Sequence, residues 1–187
     1  MNHRIAILCL LGSTLNLGVC QTSVQSQVES ILDSGSSRSE TRDLILKISD
    51  HPVPVLLSIA QSTGESHVRR TRAINLMAAF KTEESERALA EIAEHGNARL
   101  RCSALQAFVE LKSRDAIPML IKKLDDQAVC MQTVETDPAR QYDVYVSDEA
   151  VRLLEQITRQ SFGEKSADGH RATKPWKEWW SKQGAAS

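Results

Sequence analysis

The sequence predicts an all-α protein, an α-solenoid of about three to four stacked helical hairpins that carries a small inserted β-hairpin and a Trp-rich C-terminal cap. Two stretches, Arg69 to Thr82 and Leu100 to Ser113, align without a gap. Their apolar positions recur at helical spacing, with Ala73 opposite Ala104, Ile74 opposite Leu105, Leu76 opposite Ala107, Met77 opposite Phe108 and Phe80 opposite Leu111. Each stretch is followed by a polar turn and a second amphipathic segment, 87–96 in one copy and 115–126 in the other, pairing Leu89 with Ile117 and Ile92 with Leu120. Aromatic residues are only 4% of the chain while Ala and Leu recur, which suits close-packed helices better than a sheet sandwich.

Residues 1–20 read as a cleaved signal peptide. Met1 to Arg4 is a short basic start, Ile5 to Leu17 is an uncharged apolar run, and Gly18, Val19 and Cys20 put small residues before a polar continuation. The run is broken by Ser13, Thr14 and Asn16 and falls short of the roughly twenty residues that span a bilayer. Cleavage near Cys20 and Gln21 is therefore expected, giving a secreted or periplasmic protein with no membrane span. Leu17-Gly18-Val19-Cys20 also resembles the lipobox of bacterial lipoproteins, which would place a lipid anchor on Cys20. That family favours Gly, Ala or Ser where this chain has Val19, so ordinary cleavage is preferred.

The remaining elements follow in order. Residues 21–40 form a polar segment whose Val24, Val28, Ile31 and Leu32 are spaced for one short helix ahead of a Ser-Gly linker. A repeat domain is expected over 41–163. Val53 to Ala60 matches the second helix of the later unit, with Pro54 opposite Pro118, each in a first turn where the missing N–H costs nothing. Ser147 to Ile157 matches the first helix again, and its Asp148-Glu149 pair sits where acids favour a helix start. Between these units, about 127–146 is an insertion, in which Val129 to Val134 and Tyr142 to Val146 flank a polar turn and read as a β-hairpin. Residues 164–187 are a linker and a helix in which Trp176, Trp179 and Trp180 share one face, a pattern that packs as a cap more often than it offers a ligand shelf.

Leu100-Arg101, Ala104-Leu105, Phe108, Leu111, Ala116-Ile117-Pro118, Leu120-Ile121 and Leu124-Asp125-Asp126 resemble HEAT repeats of the short bacterial, phycobilisome-lyase-like type. The resemblance implies an armadillo-like helical scaffold that binds proteins. It also implies an enzymatic alternative, chromophore ligation like that of the phycobilin lyases, which export from the cytosol argues against. Glycan or peptide binding through the C-terminal tryptophans is a further alternative.

Charge and motifs narrow the function. The chain is 41% apolar and 25% charged with a formal net charge of −1, so no global grip on nucleic acid or membranes is implied. Arg69, Arg70, Arg72, Arg99 and Arg101 recur on corresponding positions and could form a basic stripe; pairing with acids of neighbouring repeats is the favoured reading, and no nucleic-acid partner is expected. His51, His67 and His95 fall near helix junctions without HExxH, an i, i+4 pair or Cys-x-x-Cys, and Asp125, Asp126, Glu135, Asp137 and Asp143 lack calcium-loop spacing. No metal or cofactor is expected. No Gly-x-Ser-x-Gly context exists and Cys102 has no neighbouring His, so no catalytic residue is assigned and the chain is read as non-enzymatic. Cys102 and Cys130 are either bridged in an oxidising compartment or two unpaired thiols. In stacked hairpins the second helices line the concave surface, which makes Val55, Ser58, Glu91, Glu94, Met119, Lys122 and Lys123 the candidate face for a protein or peptide partner. That face would run from neutral through acidic to basic.

Overall fold

The computed structural model describes residues 16–136 and 139–184. Helix α1 (Asn16–Asp33) leads into α2 (Arg38–Leu46), α3 (Pro52–Gln61), α4 (His67–Phe80), α5 (Glu83–His95), α6 (Ala98–Leu111) and α7 (Ala116–Lys122), which ends in a 3₁₀ turn (Lys123–Asp125). A hairpin of β1 (Val129–Thr136) and β2 (Ala139–Tyr145) comes next, then α8 (Val146–Thr158) and α9 (Lys174–Gly184). The bounds are set by local chemistry. The Ser37 hydroxyl and Glu40 carboxylate form a reciprocal capping box at α2, while Ser66, Thr82 and Asn97 accept from the third backbone N–H of α4, α5 and α6. Pro52 opens α3. Lys81 and Lys112, at equivalent repeat positions, end α4 and α6 in the left-handed conformation with φ of 53° and 60°.

The helices form two layers, as the repeat pattern predicts. Helices α2, α4, α6 and α8 pack in succession, and α1, α3 and α5 form the second layer, continued by α7 against α9. Ala73, Ala104 and Ala150, which occupy one repeat position in three successive first helices, are all fully buried. A small residue there lets neighbouring helices approach closely. Leu76, Met77, Leu105, Phe108, Leu120 and Leu154 fill the space between the layers. Helix α1 belongs to this stack, since Val28 is fully buried and Leu32 nearly so, with Val24 and Ile31 packed beside them.

The insertion is a β-hairpin. Met131 pairs with Val144, Gln132 with Asp143 and Thr133 with Tyr142, but Val129 pairs with Tyr145, so Cys130 is an extra residue on β1. Such a bulge turns one side chain out of the strand's alternation. Here it directs Cys130 to α6, where it is bonded to Cys102 across a Cα separation of 6.4 Å. The bridge is therefore formed, and the unpaired alternative is set aside. Asp137 and Pro138, at the tip expected from the sequence, lie outside the described residues, as do residues 1–15 of the expected signal peptide.

At the other end of the chain, α9 closes the last repeat. Trp176 is fully buried, with its ring edge-on to Phe162 at 4.7 Å and to Trp179 at 5.5 Å. Its Nε1 is buried without a hydrogen-bond partner among the described residues. Enclosure removes Trp176 from any ligand shelf.

Two outcomes are expected. Reducing the Cys102–Cys130 bridge should lower stability by about 3 kcal/mol, read as a fall in Tm on adding reductant, and a proteolytic digest of the unreduced protein should yield the two cysteines in one linked species. Trp176→Ala should cost about 3–5 kcal/mol in denaturant melts, whereas Trp176→Phe should stay within about 1.5 kcal/mol because it also deletes the unpaired N–H.

Candidate functional site

The face assigned from the sequence is only partly open. Ser58 and Glu91 are exposed, and the Glu91 carboxylate accepts a hydrogen bond from Gln61 Nε2 at 2.6 Å. Val55 and Met119 are half-buried against the core. Glu94 receives Lys122 at 2.6 Å and Lys123 at 2.9 Å, so the acidic and basic blocks expected along the groove neutralise each other. Lys123, expected to project freely, is buried with 7% exposure. The reason is the 3₁₀ turn that begins at Lys123: tighter winding carries its side chain out of the phase that an unbroken helix would give it. These three residues clamp α5 to α7. Hydrogen bonding from Lys122, with help from Lys123, holds the Glu94 carboxyl below its ordinary value of 4.5 despite partial burial.

The arginines are also largely structural. Arg69 pairs with Asp33 and Glu65, joining α4 to α1, and Arg72 donates to Leu32 O at 2.7 Å. Arg70 and Arg101 share one repeat position and one role, each donating to an end carbonyl of the preceding second helix, Ala60 O at 2.8 Å and Gly96 O at 2.7 Å. Arg101 also holds Asp126 through two bonds of 2.8 and 2.9 Å, fixing the chain just before the hairpin. Arg99 is exposed and forms no ion pair among the described residues.

Two of the concavities are lined by residues of the insertion. The first is a cleft of about 260 Å³ beneath the inner face of the hairpin, where Met131, Thr133, Tyr142 and Val144 face α8. Its floor holds two buried carboxylates. Asp148 accepts from the backbone N–H of Tyr145 and Arg171 at 3.0 and 2.7 Å and from His170 Nδ1 at 2.9 Å, while the His170 ring stacks on Tyr145 at 4.3 Å. Glu149 accepts from Gln106 at 2.6 Å and from Arg152 at 2.6 and 2.8 Å. Gly169 sits at φ +89°, where an added Cβ would lie 2.9 Å from the Tyr142 ring, so the loop after α8 lies directly on the hairpin. The sequence showed the Asp148-Glu149 pair only as helix-start acids; His170, 22 residues later, carried no spacing signal.

The second concavity is an open groove of about 720 Å³ between the N-terminal ends of α4 and α6 and the strand segment Val129 to Gln132. Arg70 and Asn97 also line a neighbouring hollow of about 340 Å³ that reaches Glu91 and His95. Arg70 and Asn97 thus line both hollows, one reaching Glu91 and the other the hairpin. Around the groove stand His67, Arg70 and Arg99, with the exposed apolar residues Val129 and Met131. Desolvation pushes the His67 imidazole below its ordinary range, and repulsion from Arg99 and Arg70 adds to the effect.

Compared with family models, with curated proteins and with solved structures, the chain matches none. The site is therefore argued from its own geometry. No described helix is long and apolar enough to cross a membrane.

The Glu94 clamp yields a pH-dependent prediction. A carboxyl held below its unfolded value stabilises the fold above that value and loses the contribution as pH falls through the depressed folded value. Glu94→Gln should therefore cost about 1 kcal/mol at pH 7, and the gap between variant and wild type should close as the pH is taken below 4.5. Urea melts across this range measure it.

Proposed function

We propose that this chain is a protein- or peptide-binding scaffold of the HEAT-repeat type, non-catalytic and acting outside the cytoplasm. The observation that carries the reading is the inserted hairpin: it is pinned to α6 by Cys102–Cys130 and walls an open groove, while most charged residues of the stacked helices are paired with one another. A rigid helical stack that commits its own charges internally presents a fixed surface. Fixed surfaces favour binding, because less ordering entropy is lost on association.

Export is supported by two features. Disulfides persist in oxidising compartments. The helix α1 residues described as packing into the core, Val24, Val28, Ile31 and Leu32, all follow Gln21, so a chain cleaved at the expected point keeps them. The HEAT-type assignment rests on the aligned repeat positions and on the shared role of Arg70 and Arg101.

The test has two readouts. Intact mass of the protein recovered from the exported fraction should correspond to a chain beginning at Gln21; a species retaining Met1 would overturn export, and an acylated Cys20 would make the protein a lipoprotein instead. Affinity capture with the oxidised protein should recover a stoichiometric partner that is lost when Glu91→Lys is combined with Arg99→Glu. A folded double variant that captures the same partner equally well would remove both hollows as the binding surface.

A further inference from the structure

Resting on the scaffold reading, we propose that the groove beside β1 takes an extended, acidic segment of a partner protein, added as a third strand on the free edge of β1. The groove runs along the edge of the strand and not beneath one of its faces. Past the bulge at Cys130 the consecutive residues Met131 and Gln132 both line it, whereas the cleft under the hairpin is lined by the alternate residues Met131 and Thr133. Successive side chains of a strand point to opposite faces, so only an edge presents both sets together.

That edge is open. The sheet has two strands, and β1 is paired only with β2. Among the described residues, the backbone of Val129 to Thr133 makes no hydrogen bond outside that pairing. Native proteins usually guard such edges with charge, proline or bulges. Here the bulge at Cys130 interrupts only the start of the strand, and Met131 to Val134 contains neither a charged residue nor a proline. Val129 and Met131 are 44% and 37% exposed, so an incoming strand would meet apolar side chains as well as free backbone groups.

Charge specifies the occupant. Among the described residues, the opposite wall carries Arg99, without an ion pair, together with Arg70 and His67, and no acidic side chain lines this part of the groove. The N-terminal ends of α4 and α6 add partial positive charge in the same direction. Desolvation is the main cause that lowers the His67 imidazole, and repulsion from Arg99 and Arg70 acts in the same sense. A segment with acids on the side facing Arg99 and apolar residues toward Met131 would satisfy both walls. A polyanion such as nucleic acid or a sulfated glycan would leave the apolar wall and the strand's amides without partners, so a peptide is the better fit.

The test uses the oxidised full chain and defined probes: a blocked octapeptide alternating Glu and Val, its Lys–Val counterpart, an N-methylated Glu–Val peptide that cannot pair as a strand, and a sulfated oligosaccharide. The Glu–Val peptide should bind and slow amide exchange at Val129 to Thr133 by about tenfold. Binding should fall by about tenfold or more for the Lys–Val peptide and for Arg99→Glu, with Arg99→Gln intermediate, and should vanish on N-methylation. Failure of the Glu–Val peptide to bind would overturn the proposal. So would binding indifferent to Arg99→Glu, equal binding of the N-methylated peptide, or preference for the oligosaccharide. A natural partner retained in full by Arg99→Glu but lost on Glu91→Lys would sink the edge proposal and leave the scaffold reading standing; absence of any stoichiometric partner would sink the scaffold reading itself.

Discussion

Each helical hairpin in this chain has one apolar side that it cannot cover by itself, and the architecture follows from burying those sides against one another. Ala73, Ala104 and Ala150 make close stacking possible because each is small at the point where successive first helices meet. A stack built this way has two ends that still expose apolar surface. One is covered by α1 through Val28 and Leu32, and the other by α9 through Trp176, which Phe162 and Trp179 surround. The buried indole N–H without a partner shows that filling volume at that end outweighed satisfying one donor.

Stacking also determines where the charges go. The equivalent arginines Arg70 and Arg101 both reach back to the end carbonyls of a second helix, and Glu94 reaches forward to Lys122 and Lys123. Groups that satisfy helix ends and bridge layers are fixed in place, and a carboxylate held by two lysines, as Glu94 is, is not available to a ligand. Surface free to recognise something is displaced to places where the repeat is interrupted, and the largest interruption is the hairpin between α7 and α8. Arg99 illustrates the contrast: it lies two residues from Arg101, yet faces the hairpin groove without an ion pair.

The repeated helices were legible in the sequence because gapless apolar matches report burial directly, burial is what stacking demands, and the paired, exposed prolines Pro54 and Pro118 mark first helical turns. The hairpin was legible from its change of period between Val129 and Val146. The candidate face was less so. Projecting Glu94, Lys122 and Lys123 by repeat register assumed an unbroken helix, and the 3₁₀ turn at Lys123 breaks that assumption. Asp148 and His170 come together only because the loop after α8 folds back onto the hairpin, and no local spacing encodes such a contact. The groove was invisible for a similar reason: its walls come from two helix starts and a strand that are distant in sequence.

One inserted residue links the hairpin's fixation to its openness. Because Cys130 is extra on β1, its side chain turns to α6 and is bonded to Cys102, while the strand resumes its alternation from Met131 onward. Without the bulge, the inward face at this point would follow the register of Met131 and Thr133, which already looks into the cleft above Asp148 and Glu149. The bridge would then have no sulfur on the α6 side, and the start of β1 would be held by the bonds from Val146 and Ser147 to Ala128 and Asp126 and by Arg101 on Asp126. A two-stranded hairpin with so few tethers is marginal in water. The bulge and bridge together hold β1 beside the ends of α4 and α6 at a fixed distance, so a groove persists there instead of collapsing onto the helices. The same geometry that immobilises the strand leaves its outer edge without a paired strand among the described residues.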